Sequence, residues 1–332
     1  MLLSDLILGI CTFFQTVLGV LGNSRLFMIY IYILYIQPHH KKPIDMIIAH
    51  LTLANVMTLS TRGIPDTMVY FGAKNVLDDV GCKMIMYFYR LGRGLSIGTT
   101  CFLSIFQAIT ISPIHSRWAW LKPRISKYIL LFFFSIWIIN MLIYICVIDA
   151  LQASENFTVY KQGYSMRYCT TKPDAYYMVK YVFLTVTTIR DFFFLTLMSL
   201  ASGYMVVFLY SHKKNVQHIH NTSLSSRPSY EAKVTQTILL LVGFYVIFYW
   251  IGCCLTIYLT FSPKKDMVLG GIGSVLNACY PVLCPFILPS TDSQAARLPC
   301  ILSKNPVQSP QFKSPLHGQF IPYSTFPLRD FK

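Results

Sequence analysis

The chain has 332 residues, of which 54% are hydrophobic, 15% aromatic and only 12% charged, with a formal net charge of +15. Soluble globular proteins carry roughly 25% charged residues, so this composition excludes an ordinary soluble domain and indicates a membrane protein. The basic excess is read as charge facing the inner leaflet and a cytosolic partner, not as a nucleic-acid footprint.

Crossing the hydrocarbon takes about 20 mostly apolar residues. Such runs recur around residues 6–36, 44–64, 83–111, 126–149, 178–211, 234–261 and 267–288, which predicts an all-α membrane protein, a bundle of seven transmembrane helices over residues 1–289. The first run follows the initiator without a cleavage-site pattern and reads as a retained signal anchor. Lysine and arginine concentrate on one side of the membrane if the amino terminus lies outside: fifteen basic residues fall on the inner segments and tail against nine on the outer loops. This predicts the amino terminus outside and the carboxyl terminus inside.

Cys82 falls at the outer mouth of span 3 and Cys169 in the long outer loop after span 4, both on the oxidising side. A disulfide between them would pin that loop over the bundle, the alternative being two free thiols. Cys11, Cys101, Cys146, Cys253, Cys254, Cys279 and Cys284 lie within spans and read as small apolar fillers. Span 3 carries Arg90 and Arg93, which at 1.5 Å per residue lie about 12 and 16 Å below Cys82. A mid-membrane arginine costs roughly 2.5–3.5 kcal/mol, so both are expected to face the interior and find acceptors. Two readings stand side by side. In one, the guanidinium forks bind an acceptor-rich or anionic ligand, such as an acidic volatile or a conjugated steroid. In the other, at least one arginine pairs with Asp191 of span 5, while the neighbouring Arg190 points to a different side of that helix. Gly92, Gly94, Ser96, Gly98, Thr99 and Thr100 fit close helix packing better than ligand contact. The aromatic runs at Phe192–Phe194 and Phe244–Trp250 are partly lipid-facing, and helical position selects Tyr89 and Tyr245 as pocket candidates.

The inner loops and span ends supply Arg117, Lys122, Arg124, Lys213, Lys214 and Lys233, a basic rim suited to an acidic partner or to anionic membrane lipid. Asn156 in Asn-Phe-Thr is an outer-side acceptor for N-glycosylation, whereas Asn221 in Asn-Thr-Ser falls inside and stays bare. His39, His40, His212, His218 and His220 lack cysteines or carboxylates at ligand spacing, so no metal site is expected. No catalytic constellation, cofactor motif or phosphate loop appears, which argues against an enzyme. The tail, residues 290–332, holds six prolines among serines and aromatics and reads as a disordered cytoplasmic segment in which Cys300 is open to acylation.

Gly22-Asn23 in span 1, Trp137 in span 4 and the cysteine at the top of span 3 resemble a G-protein-coupled receptor. Lys42-Pro43-Ile44-Asp45, Arg62-Gly63-Ile64-Pro65, the RGLSIGTTC and FQAITISP stretches of span 3, Ala201-Ser202-Gly203-Tyr204-Met205-Val206, the HIHNTSLSS loop and Pro285-Phe286 are similar to the vomeronasal type 1 pheromone receptors, over residues 10–289. Phe106-Gln107-Ala108 stands where the larger rhodopsin-like group carries its acid-Arg-aromatic triplet. Asn55 replaces the usual span 2 aspartate, span 6 lacks a kinking proline, and span 7 offers Tyr280-Pro281 in place of an Asn-Pro-x-x-Tyr switch. The resemblance implies a plasma-membrane chemoreceptor that binds a small molecule from outside and activates a heterotrimeric G protein of the inhibitory class. Arg25 departs from the apolar residue of relatives and is expected to snorkel toward the inner interface. The alternatives are a transporter, disfavoured by the lack of an internal repeat, a channel, and a bitter-taste-type receptor.

Overall fold

The computed structural model describes residues 3–36, 42–73, 76–113, 116, 120–148, 150–153, 168–172, 175, 178–219, 230–261 and 267–288. Asn156, Asn221, Arg117 and the segment from Pro289 onward, including Cys300, lie outside the described residues.

Among the described residues seven α-helices follow one another: α1 (Leu3–Ile36), α2 (Pro43–Tyr70), α3 (Asp79–Ile111), α4 (Ile125–Ile148), α5 (Leu184–Ile219), α6 (Tyr230–Phe261) and α7 (Met267–Ile287). All seven contain a stretch long and apolar enough to cross a membrane. Side-chain burial sets their order in the bundle. In its most apolar stretch α3 is 83% buried, against 17% for α5, so α3 is the central pillar and α5 a lipid-facing wall. Phe192 and Phe193 project outward from α5, as an all-round apolar helix in lipid requires.

Local chemistry explains the helix starts. Pro43 opens α2 with its fixed φ, and the Asp45 carboxylate accepts from the Lys42 N–H at 2.8 Å. Asp78 caps α3 by accepting from the Gly81 N–H at 2.8 Å, which starts that helix one turn before residue 83. Span 2 does not stop near residue 64: α2 continues through Pro65 to Tyr70. A proline removes one backbone bond, but ending the helix inside the hydrocarbon would orphan several. Span 5 begins as a π-helical turn, Met178–Phe183, before α5, which runs on to Ile219.

Proline also explains the polar knot at the bundle centre. Pro285 has no N–H for the carbonyl of Pro281, one turn earlier in α7. Asn23 of α1 supplies the missing donor, reaching Pro281 O at 2.8 Å. Its own carbonyl oxygen accepts from Asn55 of α2 at 3.2 Å, and Asn55 accepts from Ser96 of α3 at 2.9 Å. Four helices are thereby joined by amides and a hydroxyl where the larger receptor group places an aspartate. Asn23→Ala strands both the proline carbonyl and Asn55. It is expected to destabilise the bundle by roughly 1–2 kcal/mol, read as a lower melting temperature of the solubilised protein; an unchanged value contradicts this account.

A short antiparallel hairpin, β1 (Leu151–Ala153) and β2 (Cys169–Thr171), pairs Leu151 with Thr171 and Ala153 with Cys169 in a segment that reads from sequence as a plain loop. The Cys82–Cys169 disulfide fastens β2 to the start of α3, and Asp79 accepts from the Ala153 N–H at 2.6 Å. The hairpin buries a small cluster of Val69, Met86, Tyr89, Leu151 and Tyr168. Burial, with the Asp66 carboxylate nearby, pushes the Tyr168 phenol well above its ordinary range, so this ring stays neutral beneath the hairpin.

Candidate functional site

Below the hairpin, α3 faces α6 and α7, with Thr58 of α2 at the edge, across a cavity of about 40 Å³ whose lining includes Tyr89, Arg93, Ser96, Tyr245, Tyr249, Asn277 and Tyr280. Drug-sized ligands fill roughly 300–1,000 Å³. The cavity as it stands has room for a few waters, so a drug-sized ligand would have to displace side chains to enter. Three of the five sequence-selected pocket residues, Tyr89, Arg93 and Tyr245, line it.

The Arg93 guanidinium lies over the Tyr249 ring, 5.2 Å from its centre. Arg90, one turn closer to the hairpin, lies instead 4.3 Å from the centre of the Phe183 ring, at the π-helical start of span 5. The two arginines therefore diverge although they are three residues apart. Only Arg93 is among the residues lining this cavity.

Asp191, buried on α5, is engaged by its own neighbour. Arg190 folds back on it, Nε and Nη2 donating to Oδ1 at 2.8 and 2.6 Å, which corrects the expectation that Arg190 turns away. Adjacent helical residues project about 100° apart, but the long arginine stem carries its fork across that angle. The far side of the fork is held by Asn140 Oδ1 at 2.7 Å and the Tyr144 hydroxyl at 2.6 Å, both on α4. The other Asp191 oxygen accepts from the Tyr249 hydroxyl. A side chain at Gly94 would collide with Asn140 and crowd Arg190, so glycine there gives the cluster its space.

Arg93 and Asp191 are thus bridged by Tyr249, which stacks beneath one and donates to the other. Arg190 pairs directly with Asp191, whose charge also reaches Arg93, and Arg93 stands as the cation among three tyrosines in a low-dielectric cavity. Such a group attracts an anion or a strong acceptor far more than it would in water.

Several polar side chains near the cavity carry no clear signal in the sequence. Arg62, Asp66 and Ser274 form a second polar cluster: Arg62 donates to Asp66 at 3.2 Å, to the Tyr89 hydroxyl at 2.7 Å and to Ser274. Opposite charges four residues apart were the available signal, hidden because the apolar run of span 2 ends near residue 64. His50 of α2 stacks on Phe133 with ring centres 4.1 Å apart, accepts from Trp137 at 2.9 Å and contacts Thr99 at 2.8 Å. That chain fixes α2, α3 and α4 together and is structural.

At the opposite end of the bundle, Gln107 of α3 donates to the Thr235 hydroxyl of α6 at 2.9 Å, both residues buried. Ser112, just after α3, meets the Tyr204 hydroxyl of α5 at 2.9 Å, and Lys122 donates to the Ser112 carbonyl at 3.3 Å. Arg124 lies 5.7 Å from the centre of the Trp120 ring, and Lys233 is exposed at the start of α6. Lys213 and Lys214 sit in the closing turns of α5 at this same end. No group of three or more potential metal ligands occurs among the described residues.

Residues 6–300 match the model of the vomeronasal organ pheromone receptor family. The chain is 36% identical over 295 residues to vomeronasal type-1 receptor 3 of Homo sapiens, covering 89% of this chain and 94% of that one. It is 36% identical over 291 residues to vomeronasal type-1 receptor 1 of the same species, covering 87% and 81%. It is 31% identical over 309 residues to olfactory receptor class A-like protein 1 of Danio rerio, covering 92% and 96%.

Proposed function

The chain belongs to the vomeronasal organ pheromone receptor family, and from that premise we propose that it binds a small acidic or acceptor-rich molecule at Arg93 and passes the signal to a heterotrimeric G protein of the inhibitory class. As a member of that family it is a chemosensory G-protein-coupled receptor, a multi-pass plasma-membrane protein and not an enzyme. The observation that carries the ligand reading is the cavity, where Arg93 stands among Tyr89, Tyr245 and Tyr249 while Asp191 is taken up by Arg190 and Tyr249. Asp191 supports the site from α5 by holding the Tyr249 hydroxyl, while Arg90 of α3 rests on Phe183 outside the cavity lining.

The hairpin end faces outward in this reading, so ligand arrives beneath the disulfide and Asn156 carries glycan. The opposite end faces the cytosol. The inner loops and span ends of the sequence supply Arg117, Lys122, Arg124, Lys213, Lys214 and Lys233 as basic charge for an acidic surface of the G protein and for anionic lipid headgroups.

Activation requires α6 to part from α3 at that end. The rhodopsin-like ionic lock is replaced by a neutral latch: Gln107 stands at the lock position and bonds Thr235. Opening trades this bond for contact with water or the G protein. Thr235→Val keeps the shape and removes the hydroxyl, which weakens the closed state by roughly 0.5–1.5 kcal/mol. Basal nucleotide exchange on the G protein is expected to rise about 2–10-fold, the population ratio for that energy. This test needs no ligand. Basal exchange unchanged at equal surface level, in both Thr235→Val and Gln107→Leu, contradicts the latch.

A further inference from the structure

Beside the cavity at Arg93 lies a second one of about 30 Å³, enclosed by α1, α2, α3 and α7. Thr58, Tyr89 and Asn277 line both, so the two are lobes of one trough with the Tyr89 side chain between them. Tyr89 is held in that position by Arg62, whose fork donates to its hydroxyl at 2.7 Å and whose guanidinium carbon sits 4.9 Å from its ring centre.

The second lobe differs in chemistry from the first. Arg62 is balanced by Asp66, four residues on in α2, so the lobe carries no net charge. Two oxygens in its lining are buried and lack a partner: Thr12 Oγ1, on a residue only 7% exposed, and Gln15 Oε1. The orientation of the Gln15 amide is set by its nitrogen, which donates to Val275 O at 3.3 Å and faces Cys279 Sγ at 3.5 Å. Its carbonyl oxygen is consequently the end left over, and a carbonyl oxygen accepts but cannot donate. A buried acceptor without a donor is a standing penalty that an arriving group can relieve.

The arriving group must donate a hydrogen bond, carry no charge and be small. A carboxylate would set oxygen against oxygen at Gln15, an ammonium would unbalance the Arg62–Asp66 pair, and a ring exceeds the volume. A hydroxyl meets all three conditions, since it donates to Gln15 and accepts from Thr12 or Arg62.

We infer that the trough takes a bifunctional ligand, with an acidic group at Arg93 and a hydroxyl in the lobe formed by Thr12, Gln15 and Arg62, Tyr89 moving aside to join the two. This rests on the ligand reading of Arg93 given above. It assigns Arg62, part of the Arg62-Gly63-Ile64-Pro65 motif, to positioning that partition and the hydroxyl.

The test uses the full-length receptor and two matched probe series, linear alkanoic acids of graded length and the corresponding ω-hydroxy acids. Melting temperature of the purified protein and nucleotide exchange in membranes are both read. At the length that spans the trough, the hydroxy acid is expected to act at about one-tenth the concentration of the plain acid, the ratio for one satisfied buried hydrogen bond. Gln15→Met, similar in size but without the carbonyl, is expected to bring that ratio to about one, and Thr12→Val to reduce it. A ratio near one at every length in the unmodified receptor overturns the inference and leaves the lobe to water. A ratio that survives Gln15→Met and Thr12→Val together also overturns it. If plain and hydroxy acids alike produce neither a thermal shift nor exchange, the Arg93 reading falls and this inference with it.

Discussion

Replacing Arg93 by glutamine is expected to raise the concentration of an alkanoic acid needed for half-maximal exchange by about 10- to 150-fold, with surface level held within about twofold. Hydrogen bonds to charged groups contribute roughly 1.5–3 kcal/mol, and Arg93 is the one charged side chain among the described residues that line the cavity. Arg190 is committed to Asp191, Asn140 and Tyr144, and Arg62 to Asp66, Tyr89 and Ser274. Arg93→Lys keeps the charge but loses the planar fork, so an intermediate loss is expected. Arg90→Gln separates the two arginines. Its guanidinium rests on Phe183, so the change is expected to act mainly on surface level and to move potency by less than about threefold. A loss of potency greater for Arg90→Gln than for Arg93→Gln would relocate the ligand toward the α4–α5 side.

Removing the disulfide, as Cys82→Ser with Cys169→Ser, is expected to have the largest effect on the folded protein. The bond joins positions 87 residues apart, and losing such a link costs about 2–4 kcal/mol. Here the link also holds the hairpin down on Val69, Met86 and Tyr89. Surface level is expected to fall severalfold and the melting temperature by several degrees. The fraction that reaches the surface is expected to respond to acid probes only at higher concentration, because Tyr89 belongs to both the hairpin cluster and the lining of the Arg93 cavity. Surface labelling against total protein, with thermal melts of the purified variant, checks both parts; unchanged values refute the role given to the hairpin.

The bundle is legible in the sequence because lipid imposes a simple rule: long apolar runs must be helices, and polar stretches must join them. All seven spans emerge this way, with the widest errors where a polar or proline-bearing turn stays helical. Pro65 hides the last turn of α2, and with it Asp66, so the Arg62–Asp66 pair escapes notice. The disulfide is legible from compartment and position. The hairpin is not, since two three-residue strands leave no periodicity to detect. Within the site, spacing along α3 brings Tyr89 and Arg93 to the cavity, but the same spacing does not show that Arg90 leans toward Phe183. The partner of Asp191 is misjudged because helical position fixes where a side chain starts and not where a long flexible one ends. Contacts between distant elements, such as Asn23 with Pro281 or Gln107 with Thr235, leave no local signal in one sequence.

In the proposed function, small-molecule binding at the hairpin end drives nucleotide exchange at the other. The most direct test is guanine nucleotide exchange on an inhibitory-class G protein, in membranes from cells shown to display the amino terminus outside, across volatiles, carboxylic acids, hydroxy acids and sulfated steroids. A saturable, concentration-dependent rise in exchange is expected for at least one acidic member, lost in Arg93→Gln. Ligand-evoked current or substrate uptake without any change in exchange, at normal surface level, would contradict it.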